Sequence, residues 1–84
     1  MSEHKVGEVT HWFGGIGVAG IDVTDDMHVG DTVHIQGHTT DIVQEVDSIE
    51  IDHHKVDEAH EGDAIGLQVE DRVRVHDEVY VVDD

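Results

Sequence analysis

Nine histidines are the residues of this sequence that are most readily put to chemical use, because a neutral imidazole binds transition metals. A metal site needs several ligands that converge on one ion at about 2.1 Å. The only local cluster in the sequence is His53, His54 and His60 with Asp57 or Glu61, and its spacing matches no strong metal-binding pattern. The sequence therefore predicts no metal site and no cofactor. Histidine is interpreted as a surface residue that takes the place of lysine.

Residues for nucleophilic catalysis are scarce. The chain has no cysteine, and its serines are Ser2, close to the terminus, and Ser48, at a predicted bend. Neither serine lies in a Gly-x-Ser-x-Gly motif. Acidic residues are so numerous that any pair of carboxylates carries little information, and a domain this small has little interior in which to shift a pKa. We expect a protein that is not an enzyme.

A candidate binding surface lies around the Gly-Gly pair of the chain. Two aromatic residues precede this predicted turn, and aromatic side chains beside a hairpin can stack on nucleic-acid bases. Two arginines farther along the chain add positive charge. The predicted contact surface consists of Trp12, Phe13, Gly14, Gly15, His38, Arg72 and Arg74. Trp12 has a second interpretation, as a plug of the core, because a chain with three aromatic residues rarely exposes its only tryptophan fully.

The net charge of −17, from 21 acidic and 4 basic residues, is the strongest signal in the composition. The acidic residues are interleaved with Val and Ile, which indicates a folded acidic surface rather than a disordered tail. At ~1 M salt the Debye length falls to ~3 Å, so repulsion among carboxylates is largely screened. The composition therefore favours a halophilic protein. The alternative is an acidic surface made for a basic partner. In dilute buffer the same charge opposes nucleic-acid binding.

Alternating apolar and polar residues predict β-strands over most of the chain. The predicted strands are residues 5–13, 16–24, 33–36 and 40–52, with two more between residues 65 and 82. A hairpin turn at Gly14-Gly15 joins the first two, and residues 53–63 are predicted to be a connection. The alternation changes phase near Ala19-Gly20 and near Asp47-Ser48, which predicts a bulge and a bend.

One local pattern occurs three times. Asp31, Asp63 and Asp77 each stand two residues before an apolar strand residue. Aspartate commonly hydrogen-bonds to nearby backbone in turns, so these residues are predicted to form turns before strands rather than to act in catalysis.

The length of 84 residues allows one domain, taken as 1–84 with a core from about 5 to 82. The predicted fold is all-β, a closed barrel of about six short strands, in which long bent strands serve both halves of the sheet. No stretch approaches the ~20 apolar residues of a membrane span. The N-terminus lacks the features of a signal peptide. We therefore expect a cytoplasmic monomer.

Several motifs in this order resemble the second domain of elongation factor Tu and its relatives. They are Val6-Gly7-Glu8-Val9-Thr10, the Gly14–Ala19 return, Val29-Gly30-Asp31-Thr32-Val33-His34-Ile35, and Ala59 with Gly62-Asp63-Ala64-Ile65-Gly66-Leu67. The sequence is still more similar to small free-standing elongation factor-like proteins of archaea and bacteria. The same kind of domain resembles the C-terminal module of some collagenase-like peptidases.

The elongation-factor resemblance implies a six-stranded Greek-key barrel and a non-enzymatic module that binds RNA or a ribosomal or translation-factor protein. The alternative is a protein-interaction domain that acts in trans with a larger enzyme such as a collagenase-like peptidase. The sequence has no Gly-x-x-x-x-Gly-Lys-Ser/Thr loop, so we expect no nucleotide binding.

Overall fold

The computed structural model describes residues 2–83 and shows ten β-strands and no helix within them. The strands are β1 (Ser2–Phe13), β2 (Val18–Val23), β3 (Met27–His28), β4 (Thr32–Gln36), β5 (Asp41–Glu45), β6 (Ile49–Ile51), β7 (His54–Val56), β8 (Glu58–Ala59), β9 (Ala64–Gln68) and β10 (Glu78–Asp83). All their pairings are antiparallel. The all-β prediction is confirmed. Over the same residues, the structure has no helix long and apolar enough to cross a membrane.

Eight strands form one sheet in the order β5-β4-β10-β1-β2-β9-β6-β7, and β3 pairs separately with β8. Within the described residues, β5 and β7 are the edges of this sheet, and no strand pairing joins them. The predicted six-stranded closed Greek-key barrel is therefore not found. Because the short β3–β8 pair is the only other strand pairing in the described residues, the sheet has to curl around its own apolar side chains.

The core is a single cluster of buried apolar side chains drawn from nearly every strand. Strand β1 contributes Val6 and Val9, which are fully buried, and Trp12, which packs partly against the cluster. These positions are three apart because β1 contains two irregularities, between Lys5 and Gly7 and between Val9 and His11. A bulge adds one residue to a strand and bends it. The bends let these apolar side chains of β1 face the core along the whole curved strand. The sequence predicts a bulge in β2, near Ala19-Gly20. The structure places it in β1, the strand that pairs with β2 at this point.

A buried glutamine bridges the edge strand β5 to the end of β9. Gln44 is 9% exposed, and its Nε2 donates to the carbonyl of Gln68 at 2.9 Å. Its Oε1 accepts from the amide of Glu70, also at 2.9 Å. Both ends of the amide are satisfied, so its burial carries no unpaired polar atom. In a closed barrel, backbone hydrogen bonds between neighbouring strands would join these two parts of the sheet. Here the side chain of Gln44 joins them instead.

The long strand predicted over residues 40–52 is two strands in the structure. Strand β5 pairs with β4 and strand β6 pairs with β9 and β7, so the two pieces lie in opposite halves of the sheet. The break falls at residues 46–48, where the phase of the alternation changes. Residues 53–63, predicted to be a connection, contain β7 and β8. Ala59 of β8 is fully buried and pairs with Met27 of β3.

The prediction of three aspartate turns is confirmed. In each turn the aspartate amide donates to the carbonyl three residues earlier at 3.0–3.1 Å, and its Oδ2 accepts from that residue's amide at 2.8 Å. The turns are His28–Asp31, His60–Asp63 and Arg74–Asp77. The residue before each aspartate has a positive φ: 96° at Gly30, 95° at Gly62 and 80° at His76. Two turns use glycine there, whereas the third places a β-carbon in the left-handed region.

We predict that His76→Gly stabilises the domain by about 0.5–1 kcal/mol. Relief of the left-handed strain, about 1–2 kcal/mol, exceeds the entropy that glycine adds to the unfolded chain. The reciprocal variant Gly62→His serves as the matched control and should lose about 1 kcal/mol, because it puts the same side chain into an equivalent turn. Denaturant unfolding measures both. Loss of stability in His76→Gly, or no effect of Gly62→His, would contradict this account.

Candidate contact surface

The sheet topology places all seven predicted contact residues at one end of the sheet. This end is formed by the β1–β2 turn (residues 14–17), the β4–β5 turn (37–40) and the β9–β10 connection (69–77). The pairing of Val18 with Gln68 and of Gln36 with Glu78 fixes this arrangement. Strands β4 and β1 are two strand spacings apart, about 10 Å. The residues therefore share an end of the molecule without forming one compact cluster.

Trp12 and Phe13 differ in their surroundings. Trp12 is partly buried against the core, which favours its interpretation as a plug. Its indole covers the first turn glycine, since a Cβ on Gly14 would lie 3.1 Å from Trp12 Nε1. Phe13 is 45% exposed, and its ring centroid lies 4.2 Å from that of His11. The Phe13 side chain is thus available to a partner. The Trp12 side chain instead packs against the core.

The remaining predicted residues, Gly15, His38, Arg72 and Arg74, are exposed. Among residues 2–83, neither arginine side chain forms a salt bridge with a carboxylate. The Arg74 amide is the donor that closes the third aspartate turn. The positive φ of the β1–β2 turn falls at Gly17 (69°), one residue beyond Ile16 and outside the Gly-Gly pair. This turn lifts Ile16 away from the sheet, leaving it 67% exposed.

Sequence reasoning missed a groove on the outer face of the sheet. It has a volume of about 330 Å³ and runs along β9, between β2 and β6. Its lining includes Phe13, Ile16 and Val18 at one side and Glu50 and Asp52 at the other. The floor consists of the small outward-facing residues of β9, Ala64 and Gly66. The signal for this groove was the pair of small residues at even-numbered positions of β9, Ala64 and Gly66, opposite the apolar odd-numbered face.

Histidine forms most of the contacts between basic side chains and the acidic surface. Within residues 2–83 the one salt bridge without histidine joins Lys5 Nζ to Glu78 Oε2 at 3.0 Å. That contact raises the pKa of Lys5 and lowers that of Glu78. The histidine contacts are His4 with Asp83, His28 with Asp31 and Glu58, His34 with Glu3 and Asp41, His60 with Asp26 and Glu58, and His76 with Glu8. A protonated histidine in these contacts takes the role that lysine has elsewhere. No group of three potential ligands in the described part of the chain could hold a metal ion.

His34 is the most enclosed of these side chains. Its side chain is 16% exposed, with Nδ1 at 2.9 Å from Glu3 Oε2 and Nε2 at 2.6 Å from Asp41 Oδ1. Only the imidazolium can donate from both nitrogens. The hydrogen bond to Asp41, followed by that to Glu3, therefore raises the pKa of His34. The Asp26 carboxylate raises the pKa of His60 in the same way, and His60 lowers that of Asp26.

We expect the His34 contacts to stabilise the fold at low pH and to be lost as the pH rises. Because the folded pKa lies above the unfolded value of about 6.5, the contribution is complete below that pH and disappears as the pH passes through the folded pKa. His34→Gln should lower the melting temperature at about pH 6 more than at about pH 8.5.

The matched control is His38→Gln, in the turn that follows the same strand, which should show no such difference between the two pH values. An NMR titration that gives His34 a pKa at or below about 6.5 would contradict the assignment.

Comparison with known proteins gives a consistent set of relatives. No protein-family model matches the chain. The chain is 35% identical over 79 residues to an uncharacterized protease of Methanocaldococcus jannaschii, covering 93% of this chain and 19% of the protease. It is 34% identical over 80 residues to a collagenase of Porphyromonas gingivalis, covering 93% of this chain and 22% of the collagenase. The chain therefore spans about a fifth of the length of these curated relatives.

Solved structures show the same fold. The C-terminal domain of a Geobacillus thermoleovorans protein assigned to the U32 peptidases superimposes with a TM-score of 0.88 and 17% identity, covering 94% of this chain and 92% of that domain. A selenomethionine variant of that domain gives a TM-score of 0.86 at 18% identity, over 90% of this chain and 96% of that one.

These comparisons correct the sequence-based assignment. The predicted membership among elongation factor Tu-like proteins is wrong, and the predictions of a translation factor and of RNA binding are wrong with it. The sequence resembles part of a protease and part of a collagenase, and the fold resembles the C-terminal domain of a U32 peptidase.

Proposed function

We propose that this chain is a non-enzymatic protein-interaction domain that acts together with a collagenase-like peptidase. The observation that carries the proposal is that 93% of the chain matches only about a fifth of each protease relative. The remaining four fifths of those proteins have no counterpart in this chain. The fold likeness to a C-terminal peptidase domain supports an accessory role.

The chemistry of the described residues supports a binding role rather than a catalytic one. The buried polar side chains with assigned partners serve the fold: Gln44 bridges β5 to the end of β9, and Asp77 closes a turn. Five histidines contact carboxylates at or near the surface: His4, His28, His34, His60 and His76. No enclosed pair of acid and base stands beside a nucleophile in residues 2–83, and such a pair is what general acid–base catalysis requires.

The experiment combines the purified chain with a U32-type peptidase from the same organism, in dilute buffer and in about 2 M KCl. We expect a stoichiometric complex by size-exclusion chromatography and a changed kcat/KM of the peptidase towards a gelatin peptide. The chain alone should hydrolyse nothing. The absence of a complex at both salt concentrations, or hydrolysis by the chain alone, would refute the proposal.

A further inference from the structure

The groove along β9 combines an apolar side with an acidic side. The apolar side is formed by Phe13 at the end of β1, which is 45% exposed, and by Ile16 in the β1–β2 turn, which is 67% exposed. The other large exposed apolar residues, Val29, Val43 and Val75, lie on separate elements and do not line the groove. Two large apolar side chains that share one concave site are therefore the most concentrated apolar feature of the described surface. Such a feature, with polar residues around it, typically marks an interaction site.

The charge of the opposite side selects the partner. Glu50 and Asp52 line the groove, and Asp22 pairs in register with Ala64 on its floor. The lining residues include no lysine or arginine; His53 is among them, and Lys55 of β7 pairs in register with Glu50. A domain with a net charge of −17 presents here a negative potential beside an apolar surface. The complementary surface carries positive charge next to an apolar side chain.

The shape favours an extended segment. The groove follows the direction of β9, and its volume of about 330 Å³ is at the lower end of the ~300–1,000 Å³ typical of ligand pockets. Glycine and alanine on the floor let a backbone approach the sheet closely, with alternate side chains directed to the two sides. A second copy of this chain is a poor occupant, because it would bring another acidic surface against Glu50 and Asp52.

We propose that this groove binds an extended protein segment in which an apolar side chain contacts Phe13 and Ile16 while a neighbouring lysine or arginine contacts Glu50 and Asp52. The inference rests on the proposed function in one respect, that the segment belongs to the peptidase partner. Its binding chemistry does not depend on that assignment.

The test uses synthetic peptides in place of the peptidase, so that it can succeed or fail independently of the proposed function. The probe is a fluorescent peptide of ten residues in which leucine and lysine alternate, measured by fluorescence anisotropy in about 0.2 M KCl. Two matched peptides replace either every leucine by serine or every lysine by glutamine. We expect the alternating peptide to bind more tightly than both.

Matched variants locate the site. Ile16→Ser should weaken binding by about tenfold or more, since it removes a large buried contact from the complex. Val75→Ser changes another exposed β-branched apolar residue, which does not line the groove, and should change affinity less than about twofold. Glu50→Gln with Asp52→Asn should weaken binding more than Glu45→Gln with Asp47→Asn, although both pairs change the net charge by the same amount. Asparagine tolerates the positive φ of 51° at position 52.

Melting temperatures of the four variants establish that each is folded. Equal binding of the serine peptide, or equal effects of Ile16→Ser and Val75→Ser, would overturn the groove assignment, because binding would then reflect net charge alone. Self-association of the wild-type chain that is abolished by Ile16→Ser would overturn it as well, in favour of a second copy as the occupant. Peptide binding at the groove in a chain that forms no peptidase complex would support this inference and count against the proposed function.

Discussion

A single antiparallel sheet has to enclose its own hydrophobic core, and most other features of this domain follow from that constraint. Apart from the short β3–β8 pair, no second layer is present in the described residues, so curvature of the sheet gives the inner valines, isoleucines and leucine most of their protection from water. The two irregularities of β1 supply part of that curvature, and the buried amide of Gln44 holds the edge strand β5 against the end of β9. The opposite end is covered by the β3–β8 pair, through Met27 and Ala59.

The same constraint leaves function to the outer face. In a domain whose interior is filled by side chains, binding residues have to be presented outside the sheet or at its ends. The exterior carries many acidic side chains, and histidine, when protonated, pairs with several of them as lysine would in a less acidic protein. The groove along β9 departs from this pattern, because small residues of β9 leave room there and Ile16 projects from a turn beside it.

Sequence reasoning recovered what is encoded locally and missed what depends on distant pairing. The three aspartate turns and the apolar face of β9 follow from a few adjacent residues, and both are present in the structure. The open edges, the split of residues 40–52 and the groove depend on which strands pair, which alternation does not specify. The Gly-Asp-x-apolar motif explains the wrong family assignment. It is a turn followed by a strand, it occurs twice within this chain, and it therefore indicates local geometry rather than descent.

The most direct test of the groove as a contact site is backbone amide hydrogen exchange of the chain, with and without the proposed peptidase partner. Exchange reports local protection residue by residue. If the groove is the site of contact, the amides of Ile16, Gly17, Asp52 and His53 become slower to exchange in the complex. The amides of β5, on the far edge of the sheet, should stay unchanged. Protection confined to β5 and the β4–β5 turn would place the contact elsewhere and contradict the account.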